Sequence, residues 1–412
     1  MRRLAAALMI AALLAGCGRS KPATEPAPPS PPVTAPTPDP APAPDPKPLP
    51  TPAPATAGDD LRSESSRRTL KLDELRTRLE AYLNAPGPSP ARERLSTLLS
   101  GWGVRGRDDG RIATVPFVEA DLNGDGRPEL VTALNVWGEW KGTPSGAAFV
   151  ISGREGSYRV DRSPTPPEAY VDGVALVGAR DLTGDDLPEI VWVAMDHGAH
   201  TGSARVLVSR WAPGTLENLP GDMWTTFAKL EFDGQEILLT GGTVGSAGAG
   251  LTQRAATSRY RWTNGSFTVA DRRFTPSDWG YHRLIDGINA ESFGRTADAE
   301  AFYRDVLEPG RPALPLEHLP PESREAFGHA VTAFARFRLG ILLVQRGEGA
   351  PEGPDGPYAG LTRTIVTGGC KGAETWGSAN PGFFEALNAP YGYQNYNWTP
   401  ADLCSTQLPN MK

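Results

Sequence analysis

The chain has 412 residues, 41 basic against 48 acidic side chains, a net charge of −7 and three cysteines. That acidic balance argues against nucleic acid as a partner and against a polybasic membrane patch. Once the first 57 residues are set aside for their composition, about 350 remain, enough for two domains or three.

The chain opens with the positive segment Met1-Arg2-Arg3, followed by an uncharged apolar run from Leu4 to Leu14. Eleven apolar residues are too few to span a bilayer core of about 30 Å, which takes about 20. They suit the apolar region of a signal peptide, cleaved after small residues. The run closes on Leu14-Ala15-Gly16-Cys17, which resembles the lipobox of bacterial lipoproteins. The resemblance implies a signal peptide over 1–16, a lipid (diacylglyceryl and palmitate) on Cys17, and attachment to a bacterial membrane. Gly18 carries no clear retention signal, so inner and outer membrane both stay open.

From Pro22 to Ala57 the chain is Pro, Ala, Thr and little else. Proline lacks the N–H and fixes φ, so runs such as Pro40-Ala41-Pro42-Ala43-Pro44 make neither helix nor ladder. Residues 17–57 are therefore expected to be a lipidated, disordered, semi-rigid stalk, reaching on the order of 110 Å at about 3.1 Å per residue.

Residues 58–104 predict N-terminal helices. Leu72, Leu75, Leu79, Tyr82 and Leu83 fall at helical spacing, and Leu95, Leu98 and Leu99 give a second, shorter helix.

Residues 105–275 carry a repeat. Asp121-Leu122-Asn123-Gly124-Asp125-Gly126-Arg127-Pro128-Glu129 recurs 60 residues later as Asp181-Leu182-Thr183-Gly184-Asp185-Asp186-Leu187-Pro188-Glu189. Oxygens at positions 1, 3, 5 and 9, with a backbone carbonyl at 7, are how an EF-hand-like loop wraps calcium. The first set is Asp121, Asn123, Asp125, the Arg127 carbonyl and Glu129; the second is Asp181, Thr183, Asp185, the Leu187 carbonyl and Glu189. Thr183 is a poorer ligand than Asn123, and Asp186 stands where glycine is preferred, so the first loop is expected to bind more tightly. Position 12 holds Thr132 and Trp192 rather than Glu, which excludes a helix–loop–helix EF-hand.

Short β-rich runs flank both loops, at Val115–Ala120 with Leu130–Leu134 and at Val174–Arg180 with Ile190–Ala194. A pair of further runs follows each, around 149–151 with 158–160 and around 206–208 with Leu216. A third copy reads Phe227–Phe232, Ile237–Thr240, Ser258–Trp262 and Phe267–Val269, with the hairpin signal Asn264-Gly265. Lys229 stands at its first ligand position, so no calcium is expected there. Each unit reads as a four-stranded antiparallel meander.

These loops and their flanking strands resemble FG-GAP or VCBS repeats, the blade units of integrin-type β-propellers, over roughly Val115–Arg273. The resemblance implies structural calcium and a role in adhesion or binding. Only three units can be counted, fewer than the four to eight of most propellers, so an open three-unit stack or a compact helix-covered β-domain is as much expected as ring closure.

Residues 276–412 turn helical, with candidates at Tyr281–Phe293, Ala297–Leu307 and Arg324–Gln345. Their mixture of small and aromatic residues resembles tetratricopeptide-type hairpins, without a clean 34-residue period. The Tyr- and Asn-rich stretch Tyr391–Trp398 either lines a groove or seals this domain. Cys370 and Cys404 are expected to pair outside the cytoplasm, closing a loop of about 35 residues for roughly 3–4 kcal/mol.

The best catalytic grouping is Asp196-His197-Gly198-Ala199-His200, two histidines and a carboxylate able to hold zinc but lacking an assigned third protein ligand. No nucleophile elbow or Walker lysine is present, and nothing calls for an organic cofactor. The sequence thus predicts an α+β, non-enzymatic, calcium-stabilised binding or scaffold lipoprotein of the cell envelope, with a protein or glycan partner. An extracytoplasmic metal-dependent hydrolase using the Asp196–His200 loop is the alternative.

Overall fold

A computed structural model describes residues 61–409, apart from 63–66, 68, 88, 109, 138–143, 166–172, 198–200, 244–251, 352–355 and 391–395. Cys17 and the stalk lie outside the described residues. The protein is α+β, with eight α-helices and three antiparallel sheets among the described residues and no closed barrel.

Two helices come first, α1 (Leu72–Asn84) and α2 (Ala91–Gly101). Sheet 1 is a meander of β1 (Val118–Ala120), β2 (Glu129–Trp137), β3 (Pro144–Ser152) and β4 (Arg159–Arg162). Sheet 2 follows as β5 (Gly173–Arg180), β6 (Glu189–His197), β7 (Gly202–Ala212) and β8 (Thr215–Asn218), with β9 (Met223–Thr226) added beside β7. Sheet 3 is β10 (Lys229–Asp233), β11 (Glu236–Gly241), β12 (Ala256–Thr263) and β13 (Ser266–Phe274). Asn264 and Gly265, both at positive φ, form the two-residue turn between β12 and β13.

The sheets stack face to face, and alternation along each strand sets the order. On β2 and β3, Leu130, Leu134, Phe149 and Ile151 face the N-terminal helices, where Leu75, Leu79, Leu83 and Leu95 close the core. Their neighbours Val131, Ala133, Ala148 and Val150 face sheet 2, against Ile190, Trp192 and Trp211. Val191, Val193, Val206 and Val208 then face Leu230, Ile237, Leu239, Tyr260 and Phe267 of sheet 3. A strand buried on both faces needs a continuous apolar run, and Ile190-Val191-Trp192-Val193-Ala194 is one.

The far face of sheet 3 is charged instead. Lys229 pairs with Glu231 at 2.9 Å, and Arg259 and Arg261 bind Asp233 and Glu236. A strap before β1 fastens the layers: the Arg111 carbonyl accepts from Leu230 N–H of sheet 3 (2.9 Å), and Val115 N–H donates to Leu176 of sheet 2 (2.8 Å).

The C-terminal helices are α3 (Gly280–Ser292), α4 (Thr296–Val306), α5 (Pro321–Gln345), α6 (Gly360–Thr367), α7 (Gly369–Ala379) and α8 (Pro381–Leu387). Tyr303 of α4 sits so close to α3 that a Cβ on Gly287 would meet its ring at 2.3 Å. Helix α5 is long and apolar enough to cross a membrane, but it is the core helix here, enclosing Phe327, Phe334 and Phe337. Tyr396 and Trp398 are buried in that core, Trp398 donating to the Tyr281 hydroxyl at 3.1 Å; residues 391–395 lie outside the described residues. Cys370 of α7 and Cys404 are joined by a disulfide, with Cα atoms 5.8 Å apart.

Buried ion pairs bind the helical layer together and to the sheets. Arg338 forks onto Glu291 (2.6 and 3.1 Å) and donates to the carbonyls of Leu403 and Ser405, fixing the C-terminal segment. Arg254, just before β12, forks onto Asp286 of α3 (2.7 and 3.2 Å), donates to the His282 carbonyl (3.0 Å), and stacks on Phe274. Burial pushes the Asp286 carboxyl up, against the opposing pull of Arg254. Both side chains are under a tenth exposed, so removing one strands the other away from water. Asp286→Ala is expected to destabilise the protein by about 3–5 kcal/mol, read by urea denaturation.

Candidate functional site

The two repeated acidic loops lie side by side along one edge of the stack. The first joins β1 to β2 and the second joins β5 to β6. Each is anchored by its leucine: Leu122 is buried between sheets 1 and 2, and Leu182 between sheets 2 and 3. The loops also touch the next unit. A Cβ on Gly124 would meet Leu187 at 3.2 Å, and one on Gly184 would meet Gln235, in the β10–β11 turn, at 3.3 Å.

Sequence dictates the local conformation. Asp121 Oδ1 accepts the amides of Gly124 (2.8 Å) and Asp125 (3.1 Å), and Oδ2 that of Gly126 (2.8 Å). Asn123 accepts from Asp125 N–H (2.9 Å), and Asp125 from Arg127 N–H (2.8 Å). The sharp turn puts Gly126 at φ 81°, a left-handed value that costs glycine nothing. In the second loop Asp181 accepts from Gly184 (2.7 Å) and Asp186 (3.3 Å), and Asp185 from Leu187 (3.2 Å). Asp186 takes the same turn at φ 67°.

The ninth residue has a role the spacing did not reveal. Glu129 is 5% exposed and Glu189 1% exposed. Each carboxylate turns inward onto its loop's leucine amide, Glu129 to Leu122 at 3.0 Å and Glu189 to Leu182 at 2.9 Å. This clasp on the leucine amide is common to both loops, and Glu189 adds Thr183 N–H (3.2 Å) and its hydroxyl (3.0 Å). It also places a carboxylate out of water twice, which is costly unless a positive charge answers it.

The two loops answer differently. In the second, Arg210 of β7, one residue beyond the Ile190–Ser209 pair, reaches across and binds Glu189 at 2.9 Å and Asp185 at 2.7 Å. In the first, the residue one beyond the Leu130–Ile151 pair on β3 is Ser152. Among the described residues no Lys or Arg pairs with Asp121, Asp125 or Glu129. Burial, opposed by the Leu122 amide and reinforced by Asp125 and Asp121, pushes the Glu129 carboxyl up.

An oxygen-only donor set around a buried carboxylate fits a hard cation such as calcium. Asp121, Asn123, Asp125, the Arg127 carbonyl and Glu129 are the residues that would hold it. Among the described residues no three His, Cys, Asp or Glu side chains converge as a ready-made metal cluster; the first loop mixes carboxylates with an amide and a backbone carbonyl.

Other chemistry is sparse. The Asp196–His200 loop falls mostly outside the described residues, β6 ending at His197. His282 Nδ1 lies 2.7 Å from the Ser277 hydroxyl beside a cleft of about 630 Å³ lined by Trp279, Glu308 and Arg311. Ser277 also accepts from Trp279 N–H (3.3 Å), so the pair closes the turn that begins α3.

Comparison with protein-family models, with curated proteins and with solved structures finds no match.

The clasp makes a direct prediction. Glu189→Ala removes the acceptor of Leu182 and Thr183 N–H and leaves Arg210 with Asp185 as its carboxylate in the loop. It is expected to cost roughly 2–3 kcal/mol in chemical denaturation.

Proposed function

We propose that this protein is a lipid-anchored, extracytoplasmic module that presents a rigid surface to a protein or glycan partner of the cell envelope, with calcium stiffening its first acidic loop. The observation that carries the calcium part is the buried Glu129 carboxylate, with Asp121 and Asp125 beside it and no cationic side chain paired to any of them among the described residues. When bound, calcium supplies the missing positive charge and fixes the turn between β1 and β2; it takes no part in a reaction. The loop packs on Leu187, so ordering it orders the joint between sheets 1 and 2. On this reading the three sheets are blade-type units of FG-GAP or VCBS character, stacked openly rather than closed into a ring.

The anchor rests on Leu14-Ala15-Gly16-Cys17 and the stalk on the proline run after it. A compartment outside the cytoplasm accords with the Cys370–Cys404 disulfide, which persists where thiols are oxidised. It also accords with a calcium site of modest affinity, since extracellular modules of this ligand type work at about 10⁻⁴–10⁻³ M.

Two measurements test the reading. Cys17→Ser is expected to move the chain from the membrane fraction to the soluble fraction and to abolish incorporation of labelled fatty acid. Calcium is expected to raise the melting temperature of the full chain, by about 2.7 kcal/mol of stabilisation at a hundredfold excess over Kd. Asp121→Ala and Asp125→Ala should each remove that increment; an undiminished calcium effect in both would reject the first loop as the site.

A further inference from the structure

The two acidic loops share six of nine residues, yet among the described residues only the second has a cationic side chain paired with its carboxylates. Arg210 lies on β7, one residue beyond the Ile190–Ser209 pair and so next to the start of β6 at Glu189. Its Nη2 donates to Thr183 Oγ1 at 2.7 Å, to Asp185 Oδ2 at 2.7 Å and to Glu189 Oε1 at 2.9 Å; its Nε donates to Glu189 at 3.3 Å. Those acceptors are the side chains at positions 3, 5 and 9 of the calcium pattern. The remaining side-chain ligand, Asp181, is engaged by the amides of Gly184 and Asp186 and by Gln235 Nε2 at 3.2 Å. Every side-chain oxygen group that the pattern offers a metal in this loop is thus met by a donor from within the chain.

We infer that Arg210 is the resident cation of the second loop, standing where a divalent metal would stand, so that this loop is closed to calcium. A guanidinium suits the place: it is planar, permanently charged, and fans several N–H groups toward converging oxygens. It also reverses the electrostatics. A dication approaching Asp185 and Glu189 would meet a fixed positive charge already hydrogen-bonded to both, and would have to expel it. The first loop has Ser152 where the second has Arg210, so the same motif retains its demand for an external cation there. The number of calcium sites in the folded chain is then set by a residue on the third strand of each unit, outside the loop motif altogether.

Only the site count rests on the calcium reading of the first loop; the claim about Arg210 stands apart from it. The test is calorimetric titration of the full chain with calcium alone, in a background that disables the first loop. Asp125→Ala is expected to bind no calcium at the second loop. Adding Arg210→Ser should create one site, at least about 100-fold tighter than anything detected with Arg210 present, and that site should vanish with Asp185→Ala. Arg210→Ser alone should melt lower than the unsubstituted chain without calcium and recover as calcium is added. If the serine variant does not fold without calcium, Arg210→Gln, which keeps hydrogen-bonding capacity and loses the charge, takes its place. Calcium bound in Asp125→Ala that is lost on Asp185→Ala overturns the inference. So does a folded Asp125→Ala, Arg210→Ser chain that binds none. An unsubstituted chain that binds no calcium, with one site gained in the double variant, would reject the first-loop reading and leave Arg210 in its assigned role.

Discussion

Sheet 2 has no solvent face, and that burial fixes the order of what surrounds it. Ile190 and Trp192 point one way and Val191 and Val193 the other, so a partner layer is required on each side. Sheet 1 repeats the condition and is satisfied by sheet 2 and by α1 with α2. Sheet 3 breaks it. Its inner face supplies Ile237 and Leu239, while its outer face carries Glu231, Glu236, Arg259 and Arg261. A charged face cannot accept another apolar layer without stranding those groups, so the stack ends there. The strap through Arg111 and Val115 crosses from sheet 3 to sheet 2 before the chain enters β1, and it adds to the backbone bonds that Phe267 N–H makes to the Pro220 carbonyl and Gly242 N–H to the Thr226 carbonyl.

Where each loop enters its sheet, the chain must bury a carboxylate to close the turn. Glu129 and Glu189 do the same mechanical work on Leu122 and Leu182. Their charge is a liability created by that work. The second unit meets it with Arg210; the first leaves Glu129 among two further carboxylates, its own carboxyl pushed up by burial first and by Asp125 and Asp121 after it. The same logic governs the helical layer, where Arg338 and Arg254 are buried only because Glu291 and Asp286 face them with forked hydrogen bonds.

Much of the fold was legible because alternation and helical spacing are local. The strand runs around both loops, the Asn264-Gly265 turn, α1 and α3 through α5 fall where their patterns place them. Three classes of feature were not. Strand β9 is four residues with an exposed Trp224, too short and too mixed to register. Helices α6 to α8 are short, α6 and α7 are rich in Gly and Thr, and α7 is tied down by the Cys370–Cys404 link. The strap has no periodicity because its backbone pairs with two sheets in turn. At the loops, spacing found the oxygens but not their orientation. Whether Glu129 and Glu189 face a cation or an amide depends on the fold, and Arg210 is invisible to the motif because it arrives from another strand. The signal that could have found it is the register: Arg210 follows the residue paired with Ile190, and Ser152 follows the residue paired with Leu130.

Taken along the stack, the three units handle the same loop in three ways. The first keeps three carboxylates and no paired cation among the described residues. The second keeps the carboxylates and supplies a guanidinium. The third dispenses with the loop: β10 and β11 are joined by a tight turn at Gly234, Lys229 lies at the start of β10 opposite Thr240 rather than at the turn where the sequence repeat placed it, and Gln235 lends its amide back to Asp181 of the second unit. The loop carboxylates without a paired cation among the described residues are therefore confined to the first unit. That unit is the one packed against α1 and α2, with Asn84 and Glu80 of α1 bonded to the edge of sheet 1. A cation taken up there would act on the layer against those helices, while the acidic loop of the second unit is met by a charge the chain carries itself.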